Sequence, residues 1–185
     1  MKAVVFTLGC KVNACESDSI IKSLENLGYE VFSDLVYADL YIVNTCAVTS
    51  EAEHKSRQTV ARIKKINPQA EIIFTGCASQ NAPKDFIEKT GVKLVTGTFL
   101  KSKLANMINE RGIIVEKEET EFDEMIFPEK TRTRAYVKIE DGCNNFCSYC
   151  LIPYLRGRER SRKPENVLAE IENTTAKEVV LTGIN

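Results

Sequence analysis

The chain has 185 residues, 43% of them hydrophobic, which is enough to bury the core of one large domain or of one and a half ordinary domains. Its seven cysteines are too few for a small disulfide-bonded secreted domain, and its net charge of −1 excludes a uniformly basic surface for polyanions. The N-terminal apolar run is too short for a signal peptide, and no run reaches transmembrane length. We therefore expect a cytoplasmic protein that has reduced thiols and makes no membrane contact.

The first 110 residues alternate between strand and helix patterns. Short β-branched and apolar runs predict strands at 2–8, 29–32, 40–43, 71–74 and 93–95. Apolar residues at helical spacing predict helices at 13–27, 50–66, 83–89 and 100–109. This alternation indicates parallel strands joined by right-handed crossovers, and hence a three-layer α/β domain.

A second unit follows an acidic stretch. Residues 116–124 (EKEETEFDE) offer little to bury, which predicts a solvated linker. A strand at 135–139, a helix at 164–171 and a strand at 178–182 then form one βαβ unit. One such unit cannot close a barrel, which takes on the order of 200 residues. We therefore expect this chain to be part of a longer protein.

Three of the cysteines directly follow predicted strands. Cys10, Cys46 and Cys77 come just after the first, third and fourth strands of the α/β domain. Loops that follow parallel strands open onto the same sheet edge, where ligands bind, so these three thiols can converge. The alternative, that each cysteine is simply a small buried apolar residue, stays open for any single position.

A second group of three cysteines forms a C-x3-C-x2-C motif in DGCNNFCSYC: Cys143, Cys147 and Cys150. A structural zinc site needs four protein ligands, and the only histidine, His54, lies in a charged helix where a solvated position is expected. Cys15 is one helical turn beyond the first cysteine and is expected to pack against the sheet. Two groups, each one ligand short, indicate iron–sulfur centres with one position open for chemistry.

The cysteine motifs carry a family resemblance that covers nearly the whole chain. C-x3-C-x2-C after the first strand of a (β/α) unit resembles the signature of radical S-adenosylmethionine enzymes, and TLGCKVN, VNTC and TGC resemble the methylthiotransferases among them. The resemblance implies a flavodoxin-like parallel sheet domain at 1–112, an acidic and basic linker at 113–132, and the first βαβ unit of a truncated radical-SAM (β/α) barrel at 133–185.

The same resemblance implies the cofactors and their ligands. A 4Fe-4S cluster on Cys143, Cys147 and Cys150 would bind S-adenosylmethionine at its open iron and generate a 5′-deoxyadenosyl radical. An auxiliary 4Fe-4S cluster on the three N-terminal cysteines would present the sulfur to be inserted. Further contacts to S-adenosylmethionine would come from three more residues: Tyr149, Gly183 and Asn185.

The substrate follows from finer motif similarity. TLGCKVN together with NTCAVT and HKSRQ is most similar to the branch that inserts sulfur and a methyl group at C2 of N6-threonylcarbamoyladenosine, next to the tRNA anticodon. Its partners would be tRNA and an electron donor such as a flavodoxin or ferredoxin. Ala78, where the family often has an aromatic residue, and Cys15 depart from the pattern. Alternatives are the isopentenyladenosine or ribosomal-protein aspartate branches, an electron-transfer module and a zinc-binding module.

Basic residues near the second group of cysteines offer an RNA contact. Alternating arginines can bind phosphates in a bidentate manner, although a solvated charged loop explains the pattern equally well. We expect the chain alone to bind tRNA weakly and to turn over poorly or not at all. The residues concerned are Lys130, Arg132, Arg134, Arg156, Arg158, Arg160, Arg162 and Lys163.

Overall fold

The computed structural model describes residues 1–47, 50–117, 121–126 and 133–184. Its N-terminal half is built on one sheet of six parallel strands in the order β2-β1-β3-β4-β5-β6. The first five positions follow the flavodoxin-like order, which confirms the predicted fold class. The strands are β1 (Lys2–Thr7), β2 (Glu30–Phe32), β3 (Leu40–Thr45), β4 (Glu71–Gly76), β5 (Leu94–Thr96) and β6 (Gly112–Ile114).

Helices cover both faces of this N-terminal sheet. They are α1 (Lys11–Asn26), α2 (Ser50–Ile66), α3 (Cys77–Asn81) and α4 (Pro83–Thr90), followed by a 3₁₀ helix (Lys101–Met107). The sequence predicted an α-helix over 100–109, but Leu100 has a left-handed backbone and the turns that follow are tighter. Neither α3 nor β6 was predicted, because five- and three-residue elements show too little periodicity. β6 also places Ile113 and Ile114 of the predicted linker in the sheet.

The strands alternate their side chains between two apolar layers, as a three-layer arrangement requires. On one face, Val4, Val43 and Phe74 pack with residues of α2 and α4; on the other, Val5, Ile42 and Ile73 pack with α1 and the 3₁₀ helix. Neighbouring residues of a strand thus serve opposite layers. Because helices cover both faces of the sheet, only the ends of its strands remain accessible.

The C-terminal βαβ unit consists of β7 (Arg134–Asp141), α6 (Pro164–Glu172) and β9 (Glu178–Gly183), and β9 pairs with β7 in parallel as predicted. The connection between β7 and α6 adds a short helix α5 (Ile152–Leu155) and a strand β8 (Arg160–Ser161), which runs antiparallel to β7 on its other edge. Within the described ranges, no helix is both long enough and apolar enough to cross a membrane.

The described part of the predicted linker is not simply solvated, which corrects the expectation from its acidic composition. Met125 is 7% exposed, and Asp123 accepts a hydrogen bond from the Ser102 backbone N–H at 3.1 Å. The Glu124 carboxylate accepts from Arg162 Nε at 2.9 Å. The acidic side chains therefore dock this segment against cations and backbone donors on both halves of the chain.

Candidate metal centres and the interface between them

The first cysteine trio (Cys10, Cys46 and Cys77) lies along one edge of the N-terminal sheet. Each cysteine follows the carboxyl end of β1, β3 or β4, and these three strands are direct neighbours in the sheet. Because adjacent strands are about 4.8 Å apart, the three backbones span roughly 10 Å. The structure confirms that the three loops share this edge.

Two glycines allow these loops to approach one another closely. Gly9 has φ of +100°, and a Cβ there would lie 2.6 Å from the Cβ and 2.7 Å from the Sγ of Cys46. Gly76 has φ of +99°, and a Cβ there would lie 2.5 Å from the Thr45 carbonyl oxygen. Only glycine fits this backbone and this spacing, so the loop before each cysteine packs directly on its neighbour.

The Asn13 side chain ties the same loops together. Its Nδ2 donates to the Leu8 carbonyl at 2.8 Å and to the Thr45 carbonyl at 2.9 Å. Asn44 Nδ2 returns a hydrogen bond to the Asn13 carbonyl at 3.0 Å. These buried amides satisfy the backbone where the strands end, and they fix the loop before Cys46 relative to the loop before Cys10.

The second cysteine trio (Cys143, Cys147 and Cys150) occupies the loop after β7. A Cβ on Gly142, whose φ is +90°, would lie 2.0 Å from the Arg158 carbonyl oxygen. The Cys143 N–H donates to the Gly157 carbonyl at 3.1 Å, which closes the loop on itself. Cys143 is buried, Cys150 is partly buried and Cys147 is exposed.

The two trios meet at a cavity of about 230 Å³. Cys77 from the first trio and Cys150 from the second line the same cavity, together with apolar side chains. Tyr149 stands at its rim with 88% of its surface exposed. The complete lining is Ala47, Cys77, Tyr149, Cys150, Leu151, Ile152 and Leu155.

The side chains are not gathered into a metal-binding geometry. Among the residues that the structure describes, no group of three or more Cys, His, Asp or Glu side chains stands close enough to hold one metal ion. The assignment of the six cysteines as cluster ligands therefore stays a prediction. The donor set itself, thiolates on three loops, suits iron–sulfur clusters better than hard cations.

The remaining predicted residues have identifiable places. Cys15 is 1% exposed and its Sγ lies 3.3 Å from the Tyr136 carbonyl oxygen, so it packs at the contact between α1 and β7. His54 is exposed, with Nε2 2.8 Å from the side-chain nitrogen of Gln58. A Cβ on Gly183 would lie 2.9 Å from Glu140 Cβ, which shows that this glycine is needed for strand packing. Asn185, Lys130 and Arg132 lie outside the described residues.

The arginine-rich loop was interpreted either as an RNA contact or as a solvated loop, and both interpretations are wrong for three of its arginines. Arg156, Arg160 and Arg162 are 1%, 7% and 8% exposed, so they neither face solvent nor are available to an RNA phosphate. Of the basic residues of that loop, only Arg158 and Lys163 are exposed, and the Arg158 guanidinium lies 4.3 Å from the ring centre of Phe146. Arg134, at the start of β7, pairs with Glu178 at 2.7 Å.

Two of the buried arginines, Arg156 and Arg160, instead belong to a charge network between the two halves of the chain. Arg162 pairs with Glu124 and Glu170. The buried charge network comprises Glu16, Lys101, Lys138, Asp141, Arg156 and Arg160, whose Nη2 lies 3.9 Å from Asp141. Arg156 Nη1 donates to Glu16 at 2.9 Å and to both Asp141 oxygens at 2.9 and 3.0 Å. Lys138 Nζ donates to the same two carboxylates at 2.7 Å each, and Lys101 also pairs with Glu16.

This network joins the backbones that carry the two trios. Asp141 ends β7 two residues before Cys143, while Glu16 lies on α1, the helix that begins immediately after Cys10. Arg156 Nη2 donates to Asn13 Oδ1 at 2.8 Å, and Asn13 in turn holds the loops before Cys10 and Cys46. Sequence analysis missed the network, since a charged residue inside an amphipathic helix or a basic loop gives no sign of inward orientation.

Burial and the neighbouring opposite charges have opposing effects on the pKa values of the network, and the neighbouring charges prevail. Burial alone would raise the pKa of Glu16, but Arg156, Lys101 and Lys138 outweigh it and hold that pKa well below the ordinary glutamate value. Asp141 behaves in the same way: burial tends to raise its pKa, but Arg156 and Lys138 outweigh burial, so the pKa lies below the ordinary aspartate value. Both carboxylates are therefore ionised at neutral pH.

For Arg156, burial would lower the pKa, whereas Asp141, Glu16 and Cys77 together raise it well above the ordinary arginine value. Four cations, Lys101, Lys138, Arg156 and Arg160, thus face two carboxylates in this network.

The fold and these loops define a flavodoxin-like α/β protein with thiols at three adjacent strand ends, extended by a βαβ unit with three more. Residues 2–97 match a family profile described as Uncharacterized protein family UPF0004. The chain belongs to this family.

Curated relatives match along the entire chain. The chain is 39% identical over its full length to the threonylcarbamoyladenosine tRNA methylthiotransferase MtaB of Bacillus subtilis, and 38% identical over its full length to a tRNA-2-methylthio-N(6)-dimethylallyladenosine synthase of Syntrophomonas wolfei. It spans 44% and 45% of the length of these two relatives, respectively. The similarity confirms the resemblance to the radical S-adenosylmethionine methylthiotransferases.

Solved structures agree with the fold. The radical S-adenosylmethionine methyltransferase TsrM from Kitasatospora setae superposes with a TM-score of 0.60 at 16% identity, over 95% of this chain and 47% of that one. A second TsrM structure, described with cobalamin and a [4Fe-4S] cluster bound, gives a TM-score of 0.56 at 14% identity, over 96% of this chain and 48% of that one. At these identities the likeness concerns the fold alone.

Proposed function

We propose that this chain is part of a radical S-adenosylmethionine methylthiotransferase that acts on N6-threonylcarbamoyladenosine in tRNA and uses two 4Fe-4S clusters. The observation that carries the proposal is the shared cavity: a cysteine from each trio lines it, and each trio comes from the loops that follow parallel strands. The names of the relatives, which are tRNA methylthiotransferases, support the activity and the substrate class.

The residues of the chain have separate roles in this proposal. Cys10, Cys46 and Cys77 would hold the auxiliary cluster, and the second trio would hold the cluster that binds S-adenosylmethionine. When bound, these cofactors supply one-electron cleavage of S-adenosylmethionine together with the sulfur and the methyl group. The chain itself fixes the distance between the trios through the buried charge network, and the apolar walls of the cavity exclude water.

Tyr149 and Gly183 are proposed to contact S-adenosylmethionine. Tyr149 is suitably placed, because it stands exposed at the rim of the cavity, next to Cys150. Gly183 ends β9, whose neighbour β7 leads into the second trio. Asn185, two residues further on, belongs to the same proposal from sequence alone.

Anaerobic reconstitution with iron and sulfide tests the proposal directly. We expect about eight irons per chain, and a cluster spectrum that changes when S-adenosylmethionine is added. Aerobically purified protein that holds zinc without sulfide would indicate the zinc-binding module instead. A spectrum unchanged by S-adenosylmethionine would indicate the electron-transfer module.

A single substitution separates the two trios. Replacing Cys147 with alanine should abolish cleavage of S-adenosylmethionine and leave about four irons per chain, because the first trio is untouched. If cleavage survives in this variant, the roles assigned to the two trios are wrong. The matched substitution Cys46→Ala should also leave about four irons, but with cleavage retained.

The identity to the Syntrophomonas wolfei relative favours a second substrate, N6-dimethylallyladenosine in tRNA. The two substrates can be separated by expressing the full-length protein in a host that lacks both activities and analysing its tRNA nucleosides by mass spectrometry. A 2-methylthio group on the threonylcarbamoyl nucleoside supports the main proposal. The same group on the dimethylallyl nucleoside alone supports the second.

A further inference from the structure

We propose that Phe146, Tyr154 and Arg158 form a stacking surface that binds an unpaired base of the RNA substrate. The inference rests on the proposed function, because it takes RNA as the substrate. It goes further by assigning a binding role to three side chains that hold neither a cluster nor S-adenosylmethionine in that proposal, and it requires no metal in the chain.

The three side chains lie at the surface and contact one another. Phe146 is 37% exposed and Tyr154 is 66% exposed, and their rings meet edge to face with 5.5 Å between the ring centres. The Arg158 guanidinium lies over the Phe146 ring, 4.3 Å from its centre. Aromatic rings and guanidinium planes are the groups on which proteins stack unpaired RNA bases. The stacking surface therefore combines both kinds of group in one patch.

The local structure holds this surface in place. Tyr154 lies on α5, where its two neighbours Pro153 and Leu155 are buried, so the helix is anchored while the tyrosine ring faces solvent. Phe146 has φ of +48°, a left-handed backbone that is unfavourable for a residue with a Cβ and persists only where the surrounding structure imposes it. A surface fixed in this way loses little conformational entropy when a ligand binds. Contiguous exposed apolar side chains of this kind mark interaction sites.

The charges of the segment favour a nucleic acid as the occupant. Residues 142–163, all of which the structure describes, connect β7 to α6 and contain five basic side chains but one acidic side chain, Glu159. Arg158 and Lys163 are exposed against that single carboxylate. Exposed positive charge beside aromatic rings is complementary to an RNA strand, whose phosphates are negative and whose unpaired bases present flat faces. Aromatic residues and arginine are also common in protein interfaces, so the experiment has to separate the two occupants.

Tyr154 lies next to the cavity that the two trios share. Ile152 and Leu155 of α5 line the cavity, whereas Tyr154 of the same helix is exposed. Residues of one helical turn point in different directions, so a base stacked on Tyr154 would lie outside the cavity but adjoin it. A base held there would fix the RNA strand while a neighbouring nucleotide enters the cavity beside Cys150.

The experiment measures RNA binding by the full-length protein that contains this chain. Filter binding compares an anticodon stem-loop, which offers unpaired bases, with a fully paired duplex that has the same number of phosphates. We expect Tyr154→Leu to weaken binding of the stem-loop by at least about fivefold, the lower range for one stacked base. The loss should be the same at every salt concentration because the ring carries no charge, and binding of the duplex should not change. Tyr154→Phe, which keeps the ring, should stay within about twofold of the parent.

Tyr37→Leu is the matched control. Tyr37 is 63% exposed but precedes β3, so it lies at the opposite end of the strands from the N-terminal cysteines. The affinity of this variant for the stem-loop should equal that of the parent. An unchanged affinity in Tyr154→Leu, an equal loss in Tyr37→Leu, or an equal loss for the duplex overturns the proposal.

Other occupants of the stacking surface give different results. If Tyr154→Leu converts an oligomer into monomers in sedimentation, the surface joins two copies of the protein. If it prevents folding, or lowers the unfolding temperature more than Tyr37→Leu does, the ring packs against the rest of the protein. Each of these results overturns the proposal. A parent that binds neither RNA refutes the proposed function and this inference together, whereas a parent that binds the stem-loop with an affinity independent of residue 154 refutes the inference alone.

Discussion

The guanidinium of Arg156 donates to the carboxylate of Glu16 at 2.9 Å, although 140 residues separate them in the chain. Both side chains are 1% exposed. Because neither can reach water, the loss of one partner disturbs a buried charge balance that solvent cannot restore. The contact between the N-terminal sheet and the C-terminal βαβ unit is therefore polar at its centre and sensitive to single substitutions.

Glu16→Gln should lower the free energy of unfolding by about 3–5 kcal/mol, the usual cost of breaking one side of a buried ion pair. The substitution keeps the shape of the side chain but leaves the buried cations of the network with Asp141 as their single carboxylate. Urea unfolding followed by circular dichroism measures the effect. Glu71→Gln is the control: Glu71 also pairs with a lysine at 2.7 Å but is half exposed, so its loss should cost about 1 kcal/mol or less. Equal losses in the two variants would contradict this account.

The stability of the chain should also fall in acid through Glu16. Burial tends to raise the pKa of Glu16, yet its three cationic neighbours hold it well below the ordinary value. The folded state therefore binds this proton more weakly than the unfolded state. The contribution is complete above the unfolded pKa of about 4.3 and is lost as the pH falls through the lower folded value. Unfolding free energies measured from about pH 7 to about pH 3 should fall steeply in wild type and less steeply in Glu16→Gln. Parallel curves for the two proteins would rule out this role.

Much of the fold follows from local patterns in the sequence. The strand and helix alternation predicted the parallel sheet, and Cys10, Cys46 and Cys77 could be placed at one edge because the carboxyl ends of parallel strands must share it. The structure shows β1, β3 and β4 as direct neighbours, so this placement is confirmed. The rule depends on backbone direction alone, which periodicity reveals well.

Side-chain direction in irregular segments could not be predicted in this way. Arg156, Arg160 and Arg162 alternate with other residues in a loop, and such a pattern is identical whether the arginines face water or carboxylates. The carboxylate partners of Arg156, which are Glu16 and Asp141, come from other segments of the chain, and no local signal connects them. The buried charge network is a property of the assembled tertiary structure.

Gly76→Ala should destabilise the chain by about 3 kcal/mol or more. The backbone at Gly76 has φ of +99°, a region that costs other residues about 1–3 kcal/mol, and a Cβ would lie 2.5 Å from the Thr45 carbonyl. Gly28→Ala is the control, because φ there is +85° and nothing lies within 4 Å of the added Cβ. Thermal unfolding should show the larger loss in Gly76→Ala, with a lower iron content after reconstitution. Equal losses of stability in the two variants would show that the positive φ alone, and not the contact with Thr45, causes the destabilisation.

The exposed basic residues should make a modest contribution to RNA binding. Removing one cation that neutralises a phosphate reduces the slope of log affinity against log salt by about 0.7–0.9. Replacing both Arg158 and Lys163 with alanine should therefore reduce the slope for tRNA by about 1.4–1.8 if both bind phosphate. Filter binding between about 50 and about 200 mM salt measures the slope. Arg162→Lys, a change at a buried position, should leave it unaltered, and an unchanged slope in the double variant would exclude this loop from the RNA interface.

The seven cysteines should divide into six that hold iron and one that holds the fold together. Cys15→Ala should retain about eight irons per chain after reconstitution. Its Sγ is buried against the Tyr136 carbonyl, so the loss should appear as a lower unfolding temperature, by an amount typical of a small buried side chain.

Cys77→Ala, a substitution of the same size, should instead lose about four irons and keep the fold. Its side chain lines the cavity between the trios but is 4% exposed and packs in an apolar layer, so a modest loss of stability is also expected. The two variants are therefore distinguished by iron content: Cys15→Ala keeps its iron, and Cys77→Ala loses half of it. A Cys15→Ala chain with half the iron would place Cys15 among the ligands and remove the reason to expect an open coordination position at the first trio.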